Sequence, residues 1–139
     1  MGINCKKIAI AGIAAIVALT VMEFFAHSVV LKNIYMRPEF FGLWNSEEAF
    51  KSRQWAMFLA YVVTGVFFAK IYAYGYEPSR SPLGQGLRYG LMVGALFAGS
   101  CLIQYMVYPV PLSLALAWIV VTFIETAVLG VIVAHLYKP

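Results

Sequence analysis

Four long apolar segments, separated by shorter polar stretches, make up most of the chain. Each has at least the roughly 20 predominantly apolar residues that an α-helix needs to cross the hydrocarbon core of a bilayer. We therefore predict four transmembrane helices. Their predicted bounds are residues 8–31, 46–74, 82–107 and 112–136.

Residues 32–45, between the first two predicted spans, have a mixed character. Aromatic residues alternate there with charged ones, as is typical of chain at the membrane–water interface. We expect this segment to lie on the membrane surface. The residues that carry the pattern are Lys32, Tyr35, Arg37, Glu39, Phe40, Phe41 and Trp44.

Local signals define the ends of the helices. Asn45 and Glu48 have the spacing of a capping box, so the second helix should begin near residue 46. Gly75 is a suitable C-cap for that helix. Ser81 followed by Pro82 is typical of an N-cap and a first helical position, which predicts the start of the third helix.

The composition supports a membrane protein and excludes other classes. Of the 139 residues, 63% are hydrophobic and 12% are charged, and the mean hydropathy is +0.82. Soluble domains carry about 25% charged residues, so a soluble globular domain, a disordered chain and a disulfide scaffold are excluded. The sequence predicts an all-α integral membrane protein, an up-down-up-down bundle of four helices in a single domain over residues 1–139. Short second and third connections should make consecutive helices neighbours.

The distribution of basic residues predicts the orientation. With the N-terminus inside, six of the ten Lys and Arg lie on the inner side and four on the outer side. The excess favours cytoplasmic N- and C-termini in a bacterial-type inner membrane. We attribute the net charge of +4 to affinity for lipid headgroups, and we expect no nucleic-acid partner. The six are Lys6, Lys7, Lys70, Arg80, Arg88 and Lys138, and the four are Lys32, Arg37, Lys51 and Arg53.

Three ionisable residues within the predicted spans are the main candidates for chemistry. Glu23 and His27 are four positions apart on the first helix and share one face, and Glu125 lies near the middle of the fourth. A charge at the bilayer centre costs about 2.5–3.5 kcal/mol on insertion scales, so these groups should face the interior of the bundle. Gln104 on the third helix lies near the expected depth of His27.

These residues allow three interpretations. In the first, Glu23 and His27 satisfy each other, and Glu125 is protonated or bonded to a hydroxyl. In the second, the carboxylates relay protons or bind a cation. In the third, Glu23, His27 and Glu125 bind a divalent metal ion, although the sequence offers no evident fourth ligand. The hydroxyls considered for Glu125 are those of Tyr61, Thr64 and Thr122.

Small residues recur at every fourth position of the third and fourth helices. Such spacing allows the backbones of transmembrane helices to approach closely. The pattern predicts either packing within the chain or a face that forms a homo-oligomer or docks on a larger complex. The residues are Gly86, Gly90, Gly94 and Ala98 on the third helix, and Gly130 and Ala134 on the fourth.

Enzymatic activity has little support in the sequence. Cys5 and Cys101 are far apart in the chain and form no CxxC pair, which argues against a thiol–disulfide oxidoreductase. No nucleophile and base have the pattern of a catalytic site. We expect no enzyme and no cofactor.

Glu23, Glu125, the G-x-x-x-G-x-x-x-G of the third helix and the closing Leu-Tyr-Lys-Pro resemble features of small, functionally unassigned bacterial inner-membrane proteins of four helices. The resemblance implies a four-helix bundle and no particular activity. Our leading hypothesis is a non-enzymatic packing or accessory subunit of a homo-oligomer or larger membrane complex. The alternatives are a proton-coupled transporter or channel-like protein for a small cation or solute, with Glu23, His27, Glu125 and Gln104 as its site, and a membrane metal-binding protein.

Overall fold

The computed structural model describes residues 3–138; Met1, Gly2 and Pro139, the last residue of the Leu-Tyr-Lys-Pro motif, lie outside the described part. Four of its helices are long and apolar enough to cross a membrane. The prediction of an all-α, four-helix membrane protein is therefore confirmed. In chain order the helices are α1 (Cys5–Phe25), α2 (Lys32–Tyr35), α3 (Glu47–Tyr74), α4 (Pro82–Val107) and α5 (Leu112–Leu136), with a π-helical turn over Ala26–Val30 and a 3-10 turn over Pro38–Phe40.

Polar side chains cap the N-termini of α1, α3 and α4. The side chain of Asn4 accepts a hydrogen bond from the backbone N–H of Lys7, and Ser81 caps α4 as its sequence predicts. For α3 the predicted cap is wrong by one residue. Ser46 accepts from the backbone N–H of Ala49, whereas the side-chain oxygen of Asn45 accepts from Arg53 at 3.0 Å.

The four spanning helices do not pack equally against one another. The α4–α5 pair has the most extensive contact, followed by α1–α3, and α1 also packs on α5. Between α3 and α4 the contact is made by side chains near the α3–α4 connection: the Tyr72 hydroxyl donates to Gln85 at 2.6 Å, and the Tyr89 hydroxyl donates to the carbonyl of Phe68 at 2.7 Å. The second and third spans, α3 and α4, are therefore neighbours mainly near the connection that joins them.

We call the half of the bundle with both chain ends and the α3–α4 connection the terminal half. In its core, small residues lie where the backbones of α4 and α5 are in contact, and tyrosine side chains fill the wider space between α3 and α4. A Cβ built on Gly90 would overlap the carbonyl oxygen of Thr126, and one built on Gly86 would meet the Gly130 carbonyl oxygen at 2.5 Å. The buried core residues are Ala11, Ala15, Leu19, Phe68, Ala69, Tyr72, Ala73, Leu129, Val133, Ala134 and Tyr137.

We call the opposite half, with residues 31–46 and the α4–α5 turn, the loop half. Here α1 ends in the π-helical turn, in which the N–H of Leu31 donates to the carbonyl of Ala26 at 2.8 Å. Residues 31–46 then cross the end of the bundle. Phe40, only 2% exposed, packs with Val110 and Leu114 and so fixes this segment to the α4–α5 turn.

Candidate functional site

A chain of polar contacts joins three elements in the loop half. The carboxylate Oε2 of Glu23 lies 3.2 Å from Nε2 of His27. On the other side of the ring, Nδ1 of His27 lies 2.6 Å from the hydroxyl oxygen of Tyr35, on α2. That oxygen also accepts a hydrogen bond of 2.8 Å from the indole N–H of Trp118, on α5.

The chemistry of each group orders the protons along this chain. An indole N–H only donates, so the Tyr35 oxygen accepts from Trp118 and has one hydrogen left to give. If Tyr35 donates that hydrogen to Nδ1 of His27, then Nε2 carries the ring proton and donates to Glu23. A doubly protonated His27 would instead donate at both nitrogens. In that state the Tyr35 oxygen would accept two hydrogen bonds and its own hydrogen would lose its acceptor, so all of these contacts are satisfied only with a singly protonated His27.

Glu125 lies deeper, on α5, and has a buried carboxylate oxygen without a partner among the described residues. The residue is 7% exposed, and its Oε1 has no hydrogen-bond partner within residues 3–138. The predicted bond to a hydroxyl is therefore absent for this oxygen. The hydroxyl oxygen of Thr122, one of the predicted partners, lies instead 3.8 Å from the sulfur of Cys101. Since buried polar atoms are nearly always paired, an orphaned carboxylate oxygen calls for an explanation.

A cavity of about 530 Å³ brings these groups together. The four predicted site residues, Glu23, His27, Gln104 and Glu125, all line it. Gln104 is exposed, whereas Glu125 is buried. The other lining residues are Tyr35, Trp44, Asn45, Phe50, Cys101, Trp118, Val121 and Thr122.

A second cavity, of about 690 Å³, adjoins the first on the α3 side of α1. Glu23, His27, Tyr35 and Phe50 line both cavities. The pair of Glu23 and His27 therefore stands between two open spaces, and its side chains keep 28% and 38% exposure.

The third interpretation, a divalent metal ion held by Glu23, His27 and Glu125, finds no support in the geometry. Within the described part of the chain no three His, Cys, Asp or Glu side chains are grouped so that they could hold a metal ion. Glu23 and His27 pair with each other, while Glu125 lines the same cavity without completing a three-ligand group. His135 lies in the last turn of α5, and its Nδ1 is 2.8 Å from the carbonyl oxygen of Val131.

The stripe of small residues lies inside the molecule. Gly86, Gly90 and Gly94 are buried, and Cβ atoms built on them would meet α5 atoms at van der Waals distance or closer. Gly130 and Ala134 form the facing surface. Of the two predicted uses of these residues, packing within the chain is the one present in this fold; Ala98, beyond the closest contact, is partly buried.

Sequence reasoning missed Tyr35 and Trp118 as members of the site. The aromatic and charged neighbours of Tyr35 place it in a membrane-surface segment, and no residue pattern around Trp118 marks it as part of a site. The π-helical turn had no recognisable signal either. Such turns are often found at functional sites, and here the turn carries His27.

No family model, curated protein or solved structure matches the chain. Its function is therefore inferred from the chemistry of the cavity in the loop half.

Proposed function

We propose that this protein binds a small cation in the loop-half cavity, beside Glu23 and His27, and exchanges it for a proton on Glu125, as a proton-coupled transporter or channel-like protein. The observation that carries the proposal is the unpartnered Oε1 of Glu125. This buried oxygen belongs to a residue that lines the same cavity as the pair of Glu23 and His27.

The cost of burying charge explains why protons and cations should compete here. An ionised carboxylate without a partner is costly in a site of low dielectric constant, so Glu125 holds a proton when the cavity is empty. A cation that enters supplies the missing positive charge, and the proton leaves. The titratable groups that share the cavity with Glu125 are Glu23 from α1, His27 from the π-helical turn, Tyr35 from α2 and Cys101 from α4.

The net charge of the cavity favours a cation over an anion or a neutral solute. Among its lining residues in the described part of the chain, the ionisable side chains with charge near neutral pH are two carboxylates and one imidazole. Even with His27 protonated, ionisation of both Glu23 and Glu125 leaves a net charge of −1. One monovalent cation balances it.

The packing-subunit hypothesis loses its main support because the glycines that motivated it are already buried between α4 and α5. We therefore place cation binding first. With cytoplasmic termini, as the basic residues favour, the loop half and its cavity face the outer side of a bacterial-type inner membrane. The cation would then enter from that side.

The test is proton movement in reconstituted vesicles. Purified protein is placed in liposomes that contain a pH-sensitive dye, and Na⁺, K⁺, guanidinium or choline is added outside as the chloride salt. We expect at least one of these cations to drive protons out of the vesicles, faster than from protein-free liposomes.

Two carboxylate variants make this test specific. Glu125→Gln should abolish the cation-driven signal, because the amide cannot exchange a proton. Glu47→Gln is the matched control: Glu47 is an exposed carboxylate that pairs with Lys51 and lies outside the cavity lining, so its loss should leave the signal unchanged. Equal signals from wild type and Glu125→Gln, or no signal with any of the four cations, would overturn the proposal.

A further inference from the structure

We infer that the cation is an organic ammonium ion, held by aromatic rings on one side and by Glu125 on the other. This inference rests on the proposed function and names its ligand class. It comes from the other component of the cavity lining: four aromatic side chains, Tyr35, Trp44, Phe50 and Trp118, which we call the aromatic cage.

The aromatic cage is assembled from separate parts of the chain. Tyr35 comes from α2, Trp44 from the segment before α3, Phe50 from the first turn of α3 and Trp118 from α5. Aromatic faces attract cations through their ring quadrupole, most strongly for Trp, and aromatic cages are a recurrent way to recognise quaternary ammonium groups. Since a neutral apolar pocket needs no carboxylate, the combination with Glu125 indicates a ligand that is both cationic and apolar at its surface.

Hydrogen bonds and ring contacts hold three of the four rings of the cage in place. The indole N–H of Trp44 donates to the backbone carbonyl of Tyr35 at 3.1 Å, and the two rings pack edge to face with centroids 5.4 Å apart. The hydroxyl of Tyr35 is in turn held by Trp118 and His27. A preorganised cage loses little conformational entropy when a ligand enters.

The dimensions of the cavity and its donor groups also favour an organic ion over a bare metal ion. A volume of about 530 Å³ lies within the roughly 300–1,000 Å³ typical of small-molecule sites. A dehydrated metal ion needs several close oxygen or nitrogen ligands. No such three-residue group is formed by the His, Cys and Glu side chains of residues 3–138.

Calorimetry with a matched pair of probes tests the inference. Choline and 3,3-dimethyl-1-butanol have nearly the same shape and differ by one positive charge, and NaCl serves as the inorganic cation. Each is titrated into the full-length protein in nanodiscs. We expect choline to bind, the neutral alcohol to bind at least tenfold more weakly, and Na⁺ to compete with choline only weakly.

Substitutions in the cage separate this inference from the proposed function. Trp44→Leu should weaken choline binding by about 3–30-fold, the range for one cation–π contact, and Trp44→Phe should restore part of the loss. Trp55→Leu is the control, because Trp55 is 67% exposed and lies outside the cavity lining. If Trp44→Leu does not fold, Phe50→Leu tests the same point from α3.

The possible results have distinct meanings. Tight Na⁺ binding that depends on Glu125, with no choline binding, would overturn the aromatic cage but leave proton–cation exchange standing. Equal binding of choline and the neutral alcohol would also overturn the inference, because the cavity would then recognise shape alone. If neither choline nor Na⁺ binds, and no cation drives protons from the vesicles, both proposals fail.

Discussion

The two halves of the bundle pack by opposite means. In the terminal half, Gly86 and Gly90 bring α4 into backbone contact with α5, and no space remains for a Cβ. In the loop half the two helices meet through side chains, with Cys101 3.8 Å from Thr122, and Trp118 lines a cavity together with Tyr35. Close backbone packing fixes α4 against α5 in the terminal half, while polar and aromatic side chains of the loop half line an open space.

Glu125 lies at the boundary between these two kinds of packing. Its neighbour Thr126 belongs to the glycine contact, since a Cβ on Gly94 would lie 2.6 Å from the Thr126 hydroxyl oxygen. One residue earlier, Glu125 lines the cavity of the loop half instead. The close contact between α4 and α5 therefore fixes the position of Glu125 on its helix, as expected for a site built on rigid elements.

The largest effect should come from disrupting the glycine contact. Gly90→Leu forces a side chain into the backbone of Thr126 and Ala127, since even a Cβ would lie 2.8 Å from the Ala127 Cα. We expect a loss of at least about 3 kcal/mol in the free energy of unfolding, at the upper end for overpacked sites. Unfolding of the purified protein in mixed micelles by titration with SDS measures it.

Gly99→Leu is the matched control on the same helix, because a Cβ on Gly99 meets nothing within 4 Å. It should change the free energy of unfolding by less than about 0.5 kcal/mol, as is usual for exposed sites. If instead Gly90→Leu leaves the monomer stable and only dissociates an oligomer, the glycine face acts between chains, and the packing-subunit hypothesis regains its support.

A smaller effect, confined to the loop half, should follow from Tyr35→Phe. The change removes one hydroxyl and leaves the Trp118 N–H and one nitrogen of His27 without their partner. We expect a loss of about 1–2 kcal/mol, the typical cost of leaving buried polar groups unsatisfied. Hydrogen exchange should increase in residues 31–46 and stay unchanged in the terminal half; faster exchange throughout the bundle would contradict the division into two halves.

The pH dependence of this variant gives a second check. Burial raises the pKa of Tyr35 above its ordinary value of 10.0, because the charged phenolate is poorly solvated there. The neutral hydroxyl therefore contributes stability fully below pH 10, and this contribution falls as the pH rises above that value. The difference in stability between wild type and Tyr35→Phe should narrow in that alkaline range.

The sequence predicts the terminal half better than the loop half, for a physical reason. Spacing of small residues every four positions is a local property of one helix, so Gly86, Gly90 and Gly94 could be assigned to a packing face directly. The spacing of Glu23 and His27 is equally local, and their pairing follows from it. By contrast, Trp118 meets Tyr35 across 83 positions of chain, and only the folded bundle brings them together.

Two further features of the loop half could not be read from residue patterns. A π-helical turn shifts the helix register after residue 25, and nothing in its apolar sequence distinguishes it from an ordinary helix. The burial of Phe40 against Val110 and Leu114 likewise depends on how residues 31–46 fold back on the α4–α5 turn. Without these, the sequence could identify Glu125 as an intramembrane acid but could not show that its Oε1 lacks a partner.

The smallest expected effect lies at the far end of the terminal half. Glu77, in the exposed α3–α4 connection, forms ion pairs with Arg88 and Arg80. Hydrogen bonds from Arg88 and then Arg80 hold the pKa of Glu77 below its ordinary value of 4.5. A lowered pKa in the folded state means that the ion pairs stabilise the protein above pH 4.5, and that this contribution disappears as the pH falls through the lowered value.

Glu77→Gln should therefore lower the melting temperature slightly at pH 7, and the difference from wild type should vanish in acid. Because all three side chains are solvent-exposed, salt should also reduce the difference at pH 7, since 1 M salt shortens the screening length to about 3 Å. Differential scanning fluorimetry across pH and salt measures both trends. A difference that persists in acid would show that Glu77 orders the connection through its shape and not its charge. The stability contributed by the Tyr35 hydroxyl in the loop half changes instead at alkaline pH.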